Sequence, residues 1–424
     1  MNKLADQPRL QRNLKATLVV GFFQVFLVIM PVAVPFFQSN GLSMQEVFSL
    51  QAIFGLVILI AEVPSGYLAD LFGRRHTLLA GAAFCGVGHS LLLVADGFWG
   101  LALFEIALAI GHSLVSGADI ALLYDTELAL GRTEQEQRRV VGRLYSVRTM
   151  SEAVAGLVCS VLLLWSMELA VYVQAVVGWI PLAATCYLVE PPAKRLEGAG
   201  HVDNMARICR YLMTDSSVLR LAFLALCIWS LTTFYAVWLL QKLWELQGVR
   251  LVHFGYLWAA LSAIAALAGR WAHRAEEAMG STGLLLFIGL APALGYLGLD
   301  LFGLVGGFVA CTTFWVSRGL GLVVLWDALN RRIPSEFRAT ANSLASFGFR
   351  GAFVLTGPLV GYTFDLYGMS VTLLLLAGAT LAIFAGLILP LVAAVRRHQR
   401  GGDAAGGVKS EPIASPVGQP ATRA

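Results

Sequence analysis

The sequence predicts an all-α membrane protein with twelve transmembrane helices, arranged as two pseudo-symmetric six-helix bundles. Three observations lead to this prediction: an apolar composition, a series of apolar segments of membrane-spanning length, and a repeat that relates the two halves of the chain. The 424 residues are 58% hydrophobic and 13% charged, and the mean hydropathy is +0.73. Soluble domains carry about 25% charged residues, so this chain has too few charges to cover a water-facing surface.

A helix needs about 20 apolar residues to cross the hydrocarbon core of a bilayer. Segments of this kind are predicted at 16–37, 45–68, 77–95, 98–124, 143–165, 169–189, 218–240, 251–271, 282–299, 302–326, 339–364 and 370–394. The first segment lacks a small-residue cleavage site, so we expect it to be retained as a span. Pro31 and Pro35 in the first span and Pro358 in the eleventh are predicted kink points.

The loops between spans are short, apart from one polar stretch that divides the chain. We therefore predict a cytoplasmic N-terminus over 1–15, a first bundle over 16–189, a cytoplasmic linker over 190–217 and a second bundle over 218–395. Residues 396–424 are rich in Gly, Pro, Ala and Ser, a composition typical of a disordered tail.

The basic residues predict the orientation. When both termini are placed in the cytoplasm, most of the 30 lysines and arginines fall on cytoplasmic segments. Lys242 and Arg250 fall outside, and Arg148, Arg318 and Arg350 fall within spans. This is the positive-inside bias of membrane proteins. We expect a multi-pass protein of the inner (plasma) membrane, with the lipid bilayer as its partner.

Two repeats relate parts of the chain. A shift of 202 residues brings Arg148 onto Arg350 and Asp125 onto Asp327. A shorter repeat, Gly-Tyr-x-x-Asp-Leu-x-Gly, occurs at 66–73 and 361–368, on predicted opposite sides of the membrane. Duplicated halves that each contain an inverted unit are typical of secondary transporters.

The loop after the second span reads Gly66-Tyr-Leu-Ala-Asp70-Leu-Phe-Gly73-Arg74-Arg75. The glycines permit a close helix approach and a tight turn, and the arginines anchor the loop to the cytoplasmic face because they cannot enter lipid. The loop resembles the signature G-x-x-x-D-x-x-G-R-R of the major facilitator superfamily, and the resemblance covers residues 10–396. Residues 116–125 also resemble a stretch found in bacterial twelve-span facilitators described mostly as exporters of drugs and metabolites.

The resemblance implies a conformational latch at this loop. Asp70 and Arg74 would join a carboxylate at the inner end of the fourth span, where Asp125 is placed for that role. Gly66, Gly73 and Arg75 complete the latch motif. The alternative is that the motif only anchors the topology.

Ionisable residues within spans are costly and need a reason. Glu105, His112 and Asp119 are seven residues apart on the predicted fourth span, so they share one helix face. A ladder of protonatable groups is what proton coupling needs, and histidine titrates nearest to neutral pH. The alternative is a packing face with polar bonds between helices.

Three further residues are candidates for proton coupling: Glu62, Arg148 and Glu152. Arg148 and Glu152 are one helical turn apart and can pair with each other, or Arg148 can instead reach Asp119 or Asp125. A buried ion pair is the structural alternative. Glu62 lies near the inner end of the second span, where it is either a coupling carboxylate or a solvated residue at the mouth.

Aromatic and basic residues are the candidates for a substrate cavity. The aromatic candidates are Phe26, Trp229, Tyr235, Trp238 and Trp315. Arg318 and Arg350 have few candidate partners in the second half, which favours an anionic group on the substrate. Aromatic residues also pack cores and line membrane interfaces, so their assignment to a cavity has that alternative.

Other classes of function are disfavoured. The six cysteines include no CxxC pair, so we expect free thiols and no metal site. No HExxH or P-loop motif occurs, so we expect neither an enzyme nor a cofactor, and the net charge of +4 gives no indication of nucleic-acid binding. We expect a monomer.

The leading hypothesis is a secondary active transporter that exports a small drug-like compound or a secreted metabolite, siderophore-like compounds included, in exchange for protons. Drug–proton antiporters of the family usually carry an arginine early in the fourth span, whereas this chain carries Glu105. The alternative therefore stays open: a proton symporter for uptake of a small nutrient or organic anion. In both hypotheses the partners are a small-molecule substrate and protons.

Overall fold

A computed structural model describes residues 3–191, 201–333 and 338–405, and every regular element within these ranges is a helix. We call residues 3–191 the first half and the described residues from 201 onward the second half. The basic face is the end of the bundle that carries the turn at Gly73 with Arg74 and Arg75. The opposite face is the end that carries the turn at 40–43.

The helices of the first half are α1 (Lys3–Gln24), α2 (Ala33–Ser39), α3 (Met44–Phe72), α4 (Arg74–Leu91), α5 (Gly97–Val115), α6 (Ala118–Ala129), α7 (Glu134–Leu162), α8 (Met167–Val177) and α9 (Ile180–Cys186). Those of the second half are α10 (His201–Thr214), α11 (Ser217–Leu224), α12 (Ser230–Leu246), α13 (Phe254–Arg270), α14 (Ala272–Leu301), α15 (Leu304–Asn330), α16 (Arg338–Ile383) and α17 (Leu389–Ala405). Short π-helical segments at Ala225–Trp229 and Phe384–Ile388 join α11 to α12 and α16 to α17.

Within the described residues, eight helical stretches are long and apolar enough to cross a membrane. They are Met44–Glu62, Gly97–Ala129, Met167–Cys186, Ser217–Leu246, Leu251–Arg270, Ala272–Leu301, Val305–Asn330 and Thr340–Arg397. The last has 58 residues, far more than the roughly 20 that one crossing needs. It is interrupted at Gly368, where φ is 80°. The chain is thus a multi-pass membrane protein, and the count of twelve spans stays a prediction.

Capping boxes define the starts of two long helices. Glu46 N donates to Ser43 Oγ at 3.2 Å, and Ser43 N donates back to Glu46 Oε2 at 2.9 Å. Thr133 and Glu136 repeat this exchange at the start of α7. Hydrogen bonds from Thr133 hold the pKa of Glu136 below its ordinary value. Each box satisfies amide groups that the first helical turn leaves without partners.

Two of the predicted spans are broken. The first is interrupted between Gln24 and the short 3-10 helix at Met30–Val32. Val28 N has no partner within a helix at this break, and it donates to Gln174 Oε1 at 2.6 Å. The fourth is interrupted at Ser116 and Gly117, because Gly117 has φ of 83°. Broken spans are tolerated where neighbouring groups satisfy the freed backbone.

The predicted domain boundaries can be compared with the helices. Helix α10 occupies part of the predicted linker 190–217, and α17 continues to Ala405, beyond the predicted end of the second bundle at 395. Residues 192–200 of the linker and 406–424 of the predicted tail lie outside the described residues, as do residues 1–2.

The apolar core has two main parts. The larger cluster combines residues of both halves, among them Phe48 of α3 with Tyr235 and Phe353 of the second half. A second cluster, which contains Trp229 and Ile288, belongs to the second half alone. The halves are therefore joined by a shared apolar core.

Candidate functional site

A carboxylate of the second half caps a helix of the first half at the opposite face. Asp365 Oδ1 accepts from Met44 N at 3.0 Å, and Asp365 Oδ2 accepts from Gln45 N at 2.7 Å. A carboxylate is favoured at a helix N-terminus because it faces unpaired amides and the positive end of the helix dipole. A Cβ built on Gly361 would lie 2.5 Å from Gln45 Cα, so the backbones meet at a distance that only glycine allows.

Other contacts close the same face. Gln241 of α12 is completely buried, and its Oε1 accepts from Val34 N at 2.9 Å while its Nε2 donates to the carbonyl oxygen of Met30 at 3.1 Å. On the other side of the bundle, a Cβ on Gly156 would lie 2.9 Å from the carbonyl oxygen of Gly255. Every hydrogen bond that the structure describes between the halves lies at the opposite face. These contacts hold the two halves together at the opposite face, which we therefore call the sealed face.

Seven ionisable side chains of the predicted spans interact electrostatically in two groups, and we refer to them together as the central charged cluster. Its members are Glu62, His112, Asp119, Arg148, Glu152, Arg318 and Arg350. The three carboxylates balance the three guanidinium groups, so the cluster has no net charge when His112 is neutral. The first half supplies all members except Arg318 and Arg350.

Asp119 and Arg148 form a direct ion pair. Arg148 Nη2 donates to Asp119 Oδ2, and Asp119 Oδ1 accepts from Ile120 N at 2.7 Å. The Asp119 side chain is 1% exposed and that of Arg148 is 23% exposed. The sequence left three partners open for Arg148, namely Glu152, Asp119 and Asp125, and in the structure Arg148 pairs with Asp119. The break at Gly117 places Asp119 in the first turn of α6, where its carboxylate also faces free amide groups.

The predicted ladder on the fourth span is divided by the same break. Glu105 and His112 lie on α5 and Asp119 on α6, so the seven-residue spacing does not extend along one continuous helix. Each group also has its own neighbour: Gln51 Nε2 donates to Glu105 Oε1 at 2.7 Å, and Gln24 Nε2 lies 3.4 Å from His112 Nδ1. The expectation of a single ladder is therefore corrected to three separate polar sites.

Two long-range acid–base interactions connect the halves. Glu62 interacts electrostatically with Arg350, and Glu152 with Arg318. None of these four forms a direct ion pair within 4.0 Å among the described residues, and all are at least partly exposed. The sequence offered few candidate partners for Arg318 and Arg350 in the second half, and the carboxylates that interact with them, Glu152 and Glu62, belong to the first half.

The loop motif meets two other elements at the basic face. Arg74 Nε lies 3.6 Å from Asp125 Oδ2, both within the first half. Arg74 N and Arg75 N each donate to Glu190 at 2.7 Å, so Glu190 caps α4. The side chain of Asp70 lies outside the described residues, although its backbone lies in α3.

The two motif glycines differ in what they do. Gly73 has φ of 96°, and a Cβ there would lie 2.8 Å from Glu190 Oε1, so the turn requires glycine. A Cβ on Gly66 would meet nothing within 4 Å. The expected close helix approach at Gly66 is therefore absent among the described residues of this conformation.

The aromatic candidates are buried. Phe26, Tyr235, Trp238 and Trp315 belong to the core shared by both halves. Trp229 lies elsewhere, in the core of the second half, where its Nε1 donates to the carbonyl oxygen of Ile288 at 3.2 Å.

Two of the aromatic groups have polar atoms of interest. The Tyr235 hydroxyl shares a 2.5 Å hydrogen bond with Thr356 Oγ1. Trp238 Nε1 is buried without a hydrogen-bond partner among the described residues, so this indole has an unused donor inside the apolar core that both halves share.

Six polar residues of these contacts were not predicted from the sequence: Gln24, Gln51, Gln174, Gln241, Glu190 and Asp365. Of these, Asp365 alone belongs to a pattern that could have indicated it, the repeat of residues 66–73 at 361–368. No group of His, Cys, Asp and Glu side chains that could hold a metal ion occurs in the part of the chain that the structure describes.

Comparison with solved structures shows the fold. The chain is similar to the nucleoside transporter NupG (TM-score 0.69, 12% identity, 93% of this chain and 99% of that chain). It is also similar to a bacterial homologue of the lysosomal transporter Spinster in an inward-facing, unoccupied conformation (TM-score 0.68, 16% identity, 92% and 94%). A third similar structure is a D-xylose–proton symporter (TM-score 0.66, 16% identity, 87% and 96%).

A comparison with curated proteins found no match. The sequence model of the family described as Major Facilitator Superfamily matches residues 16–337, more than half of the chain. Together with the helical fold, this identifies a membrane transporter rather than an enzyme. The chain belongs to the major facilitator superfamily.

Proposed function

We propose that this chain is a proton-coupled secondary transporter that exports a small drug-like compound or a secreted metabolite, siderophore-like compounds included, by alternating access. The observation that carries the proposal is the combination of contacts that close the opposite face and acid–base interactions that link the two halves. A transporter of this architecture binds its solute between the halves and opens to each side in turn.

In the proposed cycle, the sealed conformation receives solute from the basic face, which the positive-inside bias assigns to the cytoplasm. The halves then rock about the central charged cluster. The bonds of Asp365 and Gln241 to the first half break, and the solute leaves through the opposite face. One proton moving inward contributes about 2.3 kcal/mol per 100 mV, which supports roughly a 50-fold solute gradient.

The Asp119–Arg148 pair is the proposed proton-responsive element. Protonation of Asp119 removes the charge that holds Arg148, and Arg148 can then turn toward the solute or toward Glu152. Because Arg148 and His112 interact electrostatically, a movement of Arg148 would change the electrostatic environment of His112. Glu105 and His112 serve as relay groups through Gln51 and Gln24 in this proposal.

The loop motif is the proposed latch of the basic face. Arg74 and Asp125 brace the end of α4 against α6 within the first half, so this pair stiffens one half rather than joining both. The proposed latch therefore needs Asp70, by analogy with Asp365 at the opposite face, to contact the second half when the basic face closes.

A second candidate is a proton symporter that takes up a small nutrient or organic anion. It is favoured by Arg318 and Arg350, which could bind an anionic solute and which interact with carboxylates of the other half, and by the structural similarity to a D-xylose–proton symporter. In this direction, solute and proton would both bind from the opposite face. We propose a monomer of the inner membrane, with both termini cytoplasmic, in either case.

The test is solute-induced proton movement in proteoliposomes that contain a pH dye. The panel comprises cationic drugs, siderophore-like metabolites, small organic anions, nucleosides and sugars. Proton release from the lumen when a solute enters would support the exporter. Proton flux in the same direction as the solute would support the symporter. Asp119→Asn liposomes are the control for proton leak, and no proton movement with any solute that is itself transported would contradict proton coupling.

A further inference from the structure

A groove at the basic face gathers three arginines from two helices. It is lined by Arg9 and Arg12 of α1, by Arg75 of α4 and by the segment 186–190 that follows α9. Arg9 and Arg12 are exposed and three residues apart, so they lie on one face of α1. Among the described residues that line the groove, three are arginines and one, Glu190, is a carboxylate, so these side chains have a net positive charge.

The groove is held in shape by hydrogen bonds that leave the guanidinium groups available. Asn13 Nδ2 donates to the carbonyl oxygen of Val189 at 2.7 Å, and Val189 N donates back to Asn13 Oδ1 at 2.9 Å. This exchange fixes α1 against the end of α9. The neighbouring Glu190 is engaged by the amides of Arg74 and Arg75, which fixes the start of α4 against the same segment.

Arg75, which lines this groove, has one donor that is not used. Its Nε is buried and has no hydrogen-bond partner among the described residues. A buried donor without a partner costs free energy comparable to a lost hydrogen bond. Arginine presents its N–H groups in a fork that matches a phosphate group, so a phosphate in the groove would satisfy Arg75 and the two arginines of α1 together.

The groove opens where spans end, beside side chains suited to lipid. Tyr187 is 63% exposed and Val189 is 36% exposed, and both follow directly on α9. Aromatic residues are enriched at the level of lipid headgroups. A phospholipid placed here would set its phosphate among the arginines and run its acyl chains along Tyr187, which a free phosphate compound could not do.

We propose that this groove is a binding site for the headgroup of an anionic phospholipid. Basic pockets between transmembrane helices on the cytoplasmic side are suited to such headgroups. Because the lipid would bridge α1 and α4 beside the Glu190 cap, bound lipid would stabilise the start of α4. The site lies apart from the central charged cluster and does not depend on the direction of transport.

The test uses delipidated protein in detergent and native mass spectrometry with phosphatidylglycerol. The variant is Arg9→Gln/Arg12→Gln, whose side chains are exposed. The matched control is Arg139→Gln/Arg143→Gln, which removes two exposed arginines from α7 near the same face. An arginine beside a lipid headgroup contributes about 1 kcal/mol, so the double variant should bind phosphatidylglycerol roughly 25-fold more weakly. The control should bind it as the unmodified protein does, because Arg139 and Arg143 do not line the groove.

Three outcomes would overturn the proposal. Equal weakening in both double variants would mean a diffuse surface charge effect. Equal binding of phosphatidylcholine with the same acyl chains would remove the role of the anionic headgroup. Displacement of the lipid by millimolar inorganic phosphate would assign the groove to a free phosphate compound. The single variants Arg9→Gln and Arg12→Gln, each expected to lose about fivefold, keep the test valid if the double variant does not fold.

Discussion

Asp365 Oδ2, in the second half of the chain, accepts a hydrogen bond from the backbone amide of Gln45, in the first half, at 2.7 Å. The aspartate belongs to the repeat at 361–368, and its counterpart in the first copy is Asp70. The contact therefore joins the two halves through a residue that the inverted repeat singles out. It also lies beside Gly361, where the two backbones are in close contact.

Asp365→Asn should weaken closure of the opposite face. A carboxylate at a helix N-terminus contributes about 0.3–1 kcal/mol, so the ratio of closed to open molecules should fall by about two- to fivefold. Spin labels on the exposed side chains of Gln45 and Tyr367 would report the distance between the halves. Asp300→Asn, the same change at the end of α14, is the control, and an equal shift in both variants would contradict the assignment.

Gly156→Leu should separate the halves on the other side of the bundle. Its Cβ would lie 2.9 Å from the carbonyl oxygen of Gly255, and overpacking of this kind costs about 1–3 kcal/mol. We expect loss of transport and a lower unfolding temperature in detergent. Gly378→Leu is the matched control because a Cβ at Gly378 meets nothing within 4 Å. If both variants transport normally, close packing of α7 on α13 is not needed for the cycle.

Removing Arg148 should lower the free energy of unfolding more than removing Asp119, its partner in the buried ion pair. Arg148→Gln leaves the almost completely buried Asp119 without its cation, whereas Asp119→Asn leaves Arg148, which water can partly reach. Breaking such a pair costs about 2–5 kcal/mol, and we expect Arg148→Gln to fall at the upper end. The double variant should cost less than the sum of the single variants. Additive losses in denaturant unfolding would show that the residues are not coupled.

Proton coupling should depend on Asp119 more than on the other ionisable groups of the predicted fourth span. Asp119→Asn should abolish proton-driven accumulation while solute exchange at equal pH continues, because the solute site between the halves is kept. Glu168→Gln changes an acidic residue at the start of α8 and is the control. If Asp119→Asn, Glu105→Gln and His112→Asn all retain the pH dependence of transport, the three groups only pack.

Part of this arrangement was accessible from the sequence. Apolar segments and the repeat of the halves predicted the helical fold because lipid imposes a length and a composition on each span. The motif around Gly73 predicted a turn, and the structure gives Gly73 a positive φ. Pro358, in contrast, lies inside α16, whose helical path is broken at Gly368 instead.

The polar contacts could not be predicted in the same way. Glu62 interacts electrostatically with Arg350, and Glu152 with Arg318, across a separation in sequence that no local spacing reveals. The break at Gly117 divides a span that the hydropathy pattern presents as continuous. The pattern cannot reveal such a break, because a single residue of positive φ hardly changes the mean hydropathy of a span. Glutamines such as Gln241 have no distinctive pattern in an apolar segment, although each satisfies a specific backbone group.

The most direct test of alternating access is a pair of distance measurements made on the same preparation. Cys186 and Cys209 are exposed and would first be replaced by serine. One pair of spin labels at Gln45 and Tyr367 reports the opposite face, and a second pair at Arg139 and Arg331 reports the basic face. When a transported solute and a proton gradient are applied, the first distance should lengthen as the second shortens. If both distances stay constant during transport, or change in the same direction, alternating access between these halves is contradicted.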